Sequence, residues 1–245
     1  MRILSYLLSL FTFSAYAIYG ELNSDRVLIS KINNVAVELQ RQQEDGTYRT
    51  YCSASIINED TVLTAAHCFD NKNFKFRLKY NDQFLKYSMV KIPINYLKEE
   101  IFDEYWGYLF EVKLFNDFAL IKLDQTVKNN NKLIQRKADI SLNDIFISGF
   151  GYKYSVFGTG DPKELGFLRV STRLSGKLKG NTLIQEGGTS GACLGDSGGP
   201  VFSAQGDNII QLGVVSIADC STTSKVQIVT EKLIEQSEYK VYLNE

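Results

Sequence analysis

The stretch Gly191-Ala192-Cys193-Leu194-Gly195-Asp196-Ser197-Gly198-Gly199-Pro200 constrains this chain more than any other. A serine stands between an aspartate and two glycines, and a cysteine lies four residues before it. Glycines on both sides of a polar side chain allow backbone paths that a Cβ would forbid, so the loop bends tightly and comes close to another part of the chain. A serine presented in this way is a candidate nucleophile. Its hydroxyl is weak at its free pKa, and it needs a base within hydrogen-bond reach that is oriented by a third group. The chemistry then turns on whether the rest of the chain supplies an imidazole and a carboxylate.

The chain holds one histidine, His67, in Leu63-Thr64-Ala65-Ala66-His67-Cys68. An isolated histidine is ordinarily a satisfied polar residue. This one follows a β-prone apolar run, which puts it at a strand end, and it adjoins a cysteine whose disulfide would pin its backbone. The carboxylate candidate is Asp117, which leads into the apolar run Phe118-Ala119-Leu120-Ile121-Lys122-Leu123. Burying a carboxylate is costly unless it is paired, and an imidazole N–H is a suitable partner. A turn residue that starts a strand is the plainer reading of the same aspartate.

Composition bounds the class. The 245 residues are 44% hydrophobic and 22% charged, with net charge -1. That is enough chain for a sizeable core, and the charge balance gives no reason to expect a nucleic-acid or membrane-surface partner. Only three prolines, with 14 Tyr and 15 Phe beside many Val, Ile and Thr, favour β structure. Short β-prone runs occur at 35–39, 51–57, 61–65, 74–80, 87–92, 119–123, 145–148, 166–172, 201–203, 209–217 and 226–230. Turn signals such as Asp45-Gly46 separate them, which predicts an all-β sandwich or barrel. The polar run 128–137 reads as a connection between two halves, and 157–166 as a Gly-rich surface loop. Residues 98–115 crowd Phe102, Tyr105, Trp106, Tyr108, Phe110 and Phe115 among acidic side chains. They read as a loop or short helix packed on the body, with the lining of a binding cleft as the alternative.

Arg2, the apolar run 3–13 and Ala15-Tyr16-Ala17 read as a secretory signal over 1–17, with an apolar run too short to span a bilayer. Cleavage after Ala17 leaves Ile18 first. Export permits disulfides, and the four cysteines Cys52, Cys68, Cys193 and Cys220 allow three pairings. With no Cys-x-x-Cys and one histidine, neither a metal nor another cofactor is expected.

Three blocks of this sequence resemble the chymotrypsin/trypsin-like serine peptidase family: Leu63 to Cys68 around His67, Asp117 to Leu123, and Gly195 to Pro200 around Ser197. Ser148-Gly149-Phe150-Gly151, Pro162-Lys163-Glu164-Leu165 and Gly213-Val214-Val215-Ser216 resemble three further family segments, so the likeness covers essentially all of 18–245. With the Lys-, Asn- and Ile-rich composition it suggests a bacterial member. The resemblance implies two six-stranded antiparallel Greek-key barrels, about 27–130 and 131–232, with the site between them and a C-terminal helix over about 231–243. It implies Ser197 as nucleophile, His67 as base, Asp117 as the orienting carboxylate, and the N–H groups of Gly195 and Ser197 as the oxyanion hole. It pairs Cys52 with Cys68 and Cys193 with Cys220, and it joins the ammonium of a freed Ile18 to Asp196. A start at Val27, after Arg26, is the competing N-terminus.

By the same resemblance the specificity pocket comprises Gly191, Ala192, Ser216, Ile217, Ala218 and Gln227, with Gly191 at its base. A glycine there carries no charge, so the pocket suits small, medium or polar uncharged side chains. Asp219 at the rim, or a carboxylate recruited by Gln227, would be another route to cationic substrates. The expected partners are polypeptide substrates and protein protease inhibitors, the expected state a secreted monomer. The rival readings are a non-catalytic binding protein on the same fold and an esterase using the same three side chains.

Overall fold

The computed structural model describes residues 18–20, 22–71, 73–102, 109–128, 133, 142–151, 166–186, 189–205, 208–218, 220 and 223–244. The expected signal segment, residues 103–108 of the aromatic stretch, most of the 128–137 connection, residues 157–165 with Pro162, and Asp219 lie outside the described residues.

A short strand β1 (Tyr19–Gly20) and a helix α1 (Arg26–Asn33) precede two antiparallel sheets. The first sheet holds β2 (Ala36–Gln42), β3 (Tyr48–Asn58), β4 (Thr61–Thr64), β5 (Phe76–Tyr80), β6 (Gln83–Leu85) and β7 (Tyr87–Pro93). Next come β8 (Leu97–Phe102) and β9 (Leu109–Phe115), a separate hairpin, and then β10 (Ala119–Leu123) of the first sheet. The second sheet is built from β11 (Ile145–Gly149), β12 (Arg169–Val170), β13 (Gly176–Lys179) and β14 (Thr182–Gln185). It continues, past a β15 (Ser190–Gly191) that pairs with β1, with β16 (Pro200–Gln205), β17 (Asn208–Ala218) and β18 (Ser224–Ile228). A helix α2 (Glu231–Gln236) and a strand β19 (Tyr239–Leu243) follow. The spatial orders are β19-β7-β10-β4-β3-β2-β5-β6 and β12-β11-β16-β17-β18-β14-β13.

Each sheet has its own apolar core, as a double-barrel fold requires. Leu39, Ile56, Val62, Leu78 and Ile121 belong to the first, and Ile147, Val201, Leu212, Val215 and Val226 to the second. Strand alternation then builds the contact between them. Ala119, Ile121 and Leu123 of β10 point into the first core, whereas Phe118 and Leu120 join Leu63, Val214 and Val229 in a cluster that draws on both sheets. β10 is therefore buried on both faces and reads as a nearly continuous apolar run.

Several elements differ from expectation. Among the described residues the sheets carry eight and seven strands rather than six each, and the strand β19 that follows the C-terminal helix pairs with β7 at the edge of the first. The expected C-terminal helix over 231–243 ends at Gln236. The Ser237 hydroxyl donates to Leu233 O at 2.7 Å and the Tyr239 hydroxyl to Ile234 O at 2.8 Å, which satisfies two of the free carbonyls at the helix end. The chain then turns extended, and Tyr239–Leu243 pairs with β7. Residues 97–102 and 109–115 form a hairpin, not a loop or short helix. The expected first-barrel start at 27 falls inside α1, whose N-cap Asp25 accepts from the N–H groups of Val27 and Leu28. Among the described residues no helix is long and apolar enough to cross a membrane.

The double-sided burial of β10 sets its energetic weight. Ile121 has no exposed surface, so Ile121→Ala is expected to cost about 2–5 kcal/mol. The readout is a lower denaturant midpoint with an unchanged slope; a midpoint within error of the parent would contradict this packing.

Candidate active site

Register brings His67 and Asp117 together. β10 pairs with β4 so that Ala119 opposes Thr64 and Leu120 opposes Leu63. The same antiparallel count carried outward sets position 117 level with 66. There the chain leaves β4 in a single 3-10 turn, Ala66–Phe69, that holds His67. A disulfide joins Cys68 in this turn to Cys52 in β3, with an S–S length of 2.08 Å. On the other side Asn116, at φ 50°, turns the chain from β9 into Asp117. That left-handed conformation is one asparagine tolerates better than most residues.

Asp117 has no exposed surface. Its Oδ1 accepts the backbone N–H of His67 at 2.9 Å. Its Oδ2 lies 2.8 Å from His67 Nδ1 and accepts the Ser216 hydroxyl at 2.6 Å. The Asp117 N–H in turn donates to Gln227 Oε1 at 3.3 Å. A carboxylate has no proton to give, so Nδ1 carries the hydrogen and a neutral ring keeps its lone pair on Nε2. The His67 side chain retains 21% of its surface exposed, so the ring is reachable from solvent while its partner is not. Burial pulls the imidazole towards its neutral form. The charge and hydrogen bond of Asp117 act the other way and prevail, so the His67 pKa is raised above the ordinary histidine value.

Ser197 lies in the loop between β15 and β16, and the flanking glycines explain its path. Gly195 and Gly198 have φ of 91° and 77°. A Cβ on Gly198 would stand 2.1 Å from Thr64 Oγ1 and 2.8 Å from Ala65 N. The loop carrying Ser197 therefore abuts the segment that leads into His67. It is fastened on both sides: Ser197 O accepts Ser53 N–H at 2.8 Å, and Gly198 N–H donates to Val215 O at 2.8 Å. Asp196 is fully buried, with Oδ1 accepting Gly151 N–H at 3.0 Å and Oδ2 accepting Cys193 N–H at 2.9 Å. Gly149 and Gly151 make room for it, since a Cβ on either would meet Asp196 Oδ1 within 2.8 Å. Desolvation by burial pushes the Asp196 carboxyl up to about 7, against the pull of the two N–H groups and the Arg169 charge.

Beside this loop, β1 pairs Tyr19 with Gly191 and Gly20 with Ser190, and Ile18 is fully buried in the same apolar cluster as Ala192. A second disulfide joins Cys193 to Cys220, with an S–S length of 2.01 Å. Cys52, His67 and Cys68 bring three ligand-type atoms within 4.8 Å of one another. Sulfurs already bonded to each other offer a metal no thiolate.

The expected pocket set divides. Gly191, Ala192, Ile217 and Ala218 lie on β15, the residue after it, and the end of β17. Gln227 does not join them. It opposes Val214 rather than Ala218, and its side chain reaches Asp117 and the carbonyls of Asn181 and Ile228. The Ser216 hydroxyl likewise turns to Asp117. The residue opposite Ala218 is Ser224, whose Oγ accepts the Ala192 N–H at 3.0 Å. A register shift between Val215 and Ile217 sets Ser224, rather than Thr223, opposite Ala218, which counting from Cys220 along the sequence does not reveal.

The chain has a single histidine, so its titration in untagged protein gives one set of imidazole resonances. Because the folded chain holds this proton more tightly than the unfolded one, the pair's contribution to stability is complete below about pH 6.5 and is lost as the pH rises through the folded pKa. The expected midpoint by nuclear magnetic resonance lies above about 6.5, and Asp117→Asn lowers it, since burial then acts without the opposing charge. A midpoint that Asp117→Asn leaves in place would mean that the pair does not form in solution.

Comparison with known proteins agrees with this fold. The sequence model of one family, Trypsin, matches residues 30–233. Chymotrypsin-C of Rattus norvegicus is 29% identical over 237 residues, covering 85% of this chain and 82% of its own. Proproteinase E of Bos taurus is 29% identical over 208 residues, covering 77% of this chain and 81% of its own. A trypsin-like protease of Streptomyces glaucescens is 30% identical over 193 residues, covering 74% and 70%. On the extent of that match the chain belongs to the trypsin family of serine peptidases.

Proposed function

We propose that the protein is a secreted serine endopeptidase acting through Ser197, His67 and Asp117. The observation that carries this reading is a fully buried Asp117 bonded to the Nδ1 side of a solvent-reachable His67, beside a glycine-flanked Ser197 loop. In this reading His67 Nε2 takes the Ser197 proton as Oγ attacks the peptide carbonyl, with the developing oxyanion held by the N–H groups of Gly195 and Ser197. The imidazolium, stabilised by Asp117, then protonates the leaving amine, and water hydrolyses the acyl-enzyme by the reverse transfers. The working unit spans 18–245, with its two barrels dividing at about residue 130.

Ile18 is the proposed mature N-terminus and Asp196 its partner. Ile18 is buried beside the loop, whereas Val27 is 65% exposed on the first turn of α1. A carboxyl raised to about 7 is only partly ionised near neutral pH, and a buried ammonium would complete its ionisation. The uncharged Gly191, with Ala192, Ile217, Ala218 and Ser224 around it, favours small, medium or polar uncharged side chains before the scissile bond. Partners are polypeptide substrates and protein inhibitors, and the protein acts as a monomer without nucleic acid or membrane.

A fluorophosphonate is expected to label Ser197 in the secreted protein, with amino-terminal sequencing starting at Ile18. Absence of label would favour a binding protein, turnover of activated esters but no peptide would favour an esterase, and a start at Val27 would remove the Ile18–Asp196 pairing. Asp117→Asn should lower kcat by on the order of 10⁴-fold. The acid limb of kcat/KM should follow the His67 titration midpoint, because the base works only when neutral.

A further inference from the structure

We infer that Ser53 is a positioning residue that sets the oxyanion-binding loop from the opposite sheet, an inference that rests on the peptidase reading above. Ser53 lies on β3 of the first sheet and has no exposed surface. Every polar atom it owns is engaged. Its hydroxyl donates to Gly195 O at 2.8 Å and accepts the Phe150 N–H at 2.8 Å. Its N–H donates to Ser197 O at 2.8 Å, and its carbonyl accepts the Thr64 hydroxyl at 2.8 Å. One residue of the first sheet thereby grips the loop on both sides of Asp196, together with the segment that contacts Asp196 from behind.

The hydroxyl contact bears on catalysis through one peptide plane. Gly195 O and Asp196 N belong to the same peptide unit, which is rigid. Its oxygen is held by Ser53 Oγ, and its N–H donates to Cys193 O at 3.0 Å, so it is pinned at both edges. On the other side of the Gly195 Cα lies the N–H proposed to face the oxyanion. Gly195 sits at φ 91°, and with no Cβ little else limits rotation about that Cα. The pinned plane gives the donor a fixed reference before substrate arrives. Such preorganisation is what makes an oxyanion donor effective, since its alignment then costs nothing during the reaction. Removing the hydroxyl leaves Gly195 O and the Phe150 N–H without this shared partner and frees the plane on its oxygen side.

The test uses the secreted, processed protein and compares Ser53→Ala and Ser53→Gly with Ser55→Ala. Ser55 is the matched control: it is buried on the same strand and its hydroxyl accepts Gln211 Nε2 from the second sheet at 2.8 Å, away from the loop. Two inhibitors of one peptide sequence are measured, an aldehyde that forms a tetrahedral oxyanion on Ser197 and the corresponding alcohol that does not. Losing a whole oxyanion donor costs roughly 10²–10³ in rate, and a donor that is misaligned but present retains part of that. The Ser53 variants are therefore expected to bind the aldehyde about tenfold more weakly, with the alcohol unchanged. Their kcat should fall by about tenfold with KM within about twofold. Ser55→Ala should lower the melting temperature and leave the aldehyde-to-alcohol ratio alone. An unchanged ratio in a folded Ser53 variant, an equal change in Ser55→Ala, or failure of both Ser53 variants to fold would each overturn the assignment. A parent protein that takes no fluorophosphonate would instead remove the peptidase reading on which the assignment stands.

Discussion

A carboxylate with no exposed surface, Asp117, sits where the two sheets meet, and the arrangement around it depends on keeping it satisfied. Removing such a charge from water costs several kcal/mol. Three donors offset this: His67 N–H, His67 Nδ1 and the Ser216 hydroxyl. Two come from the first sheet's exit turn and one from β17 of the second sheet. The apolar cluster of Leu63, Phe118, Leu120, Val214 and Val229 holds the sheets together without direction. The Asp117 bonds add direction, because only one relative placement brings Ser216 and Gln227 within reach. Sheet packing and histidine orientation are in this sense one constraint.

β3 is the beam from which the rest of the site hangs, and its alternation explains how one strand serves both sheets. Cys52, Ala54 and Ile56 point into the first core. Ser53 and Ser55 point the other way, to the Gly195 loop and to Gln211. The inward set fixes the strand, and its Cys52 also fixes the His67 turn through the disulfide. The outward set meets the second sheet with hydroxyls rather than methyls. Two small polar side chains leave room for Gly198 and Gly199 to approach, where a larger residue would collide with the loop: a Cβ on Gly199 would already lie 3.2 Å from Ser53 Cβ.

The most legible parts of the sequence were those in which a local signal and a long-range requirement coincide. The Gly195 to Pro200 loop, the lone His67 and the strand-leading Asp117 could be read because their chemistry needs one another and each has a distinctive local context. Central strands such as Ala119–Leu123 were legible from apolar continuity alone. What escaped was set by register and by contacts distant in sequence. Ser224 reaches Ala192 only because the β17–β18 ladder slips by a residue. Ser53 is an ordinary serine until the fold brings Gly195 within 2.8 Å. The α1 helix did carry a signal, an Asp25 cap with Leu28 and Ile32 four apart, but it is only eight residues long and its buried face needs Phe146 and Phe202 to make sense. Tyr239–Leu243 is too short to reveal that a neighbouring strand edge is free to accept it.

Two aspartates among the described residues are fully buried, and the contrast between them carries the last step. Asp117 faces an imidazole, one backbone N–H and a hydroxyl, and it holds the His67 proton in place. Asp196 has two backbone N–H groups for its carboxylate, and burial pushes its carboxyl up to about 7. A group in that condition favours the protonated form in the fold, so without a further cation it weakens stability as the pH rises from its unfolded value towards 7. A positive charge delivered next to it reverses that sign: the carboxyl then ionises readily, and the stability it contributes is kept through neutral pH. The proposed Ile18 ammonium is such a charge, and Ile18 is already buried in the same apolar cluster as Ala192, beside the β1–β15 pair that begins the loop. On this reasoning the Asp117 site is complete as the chain folds. On the proposed pairing, the Asp196 site would be completed only by the cleavage that frees the Ile18 ammonium, a requirement the Asp117 site does not share.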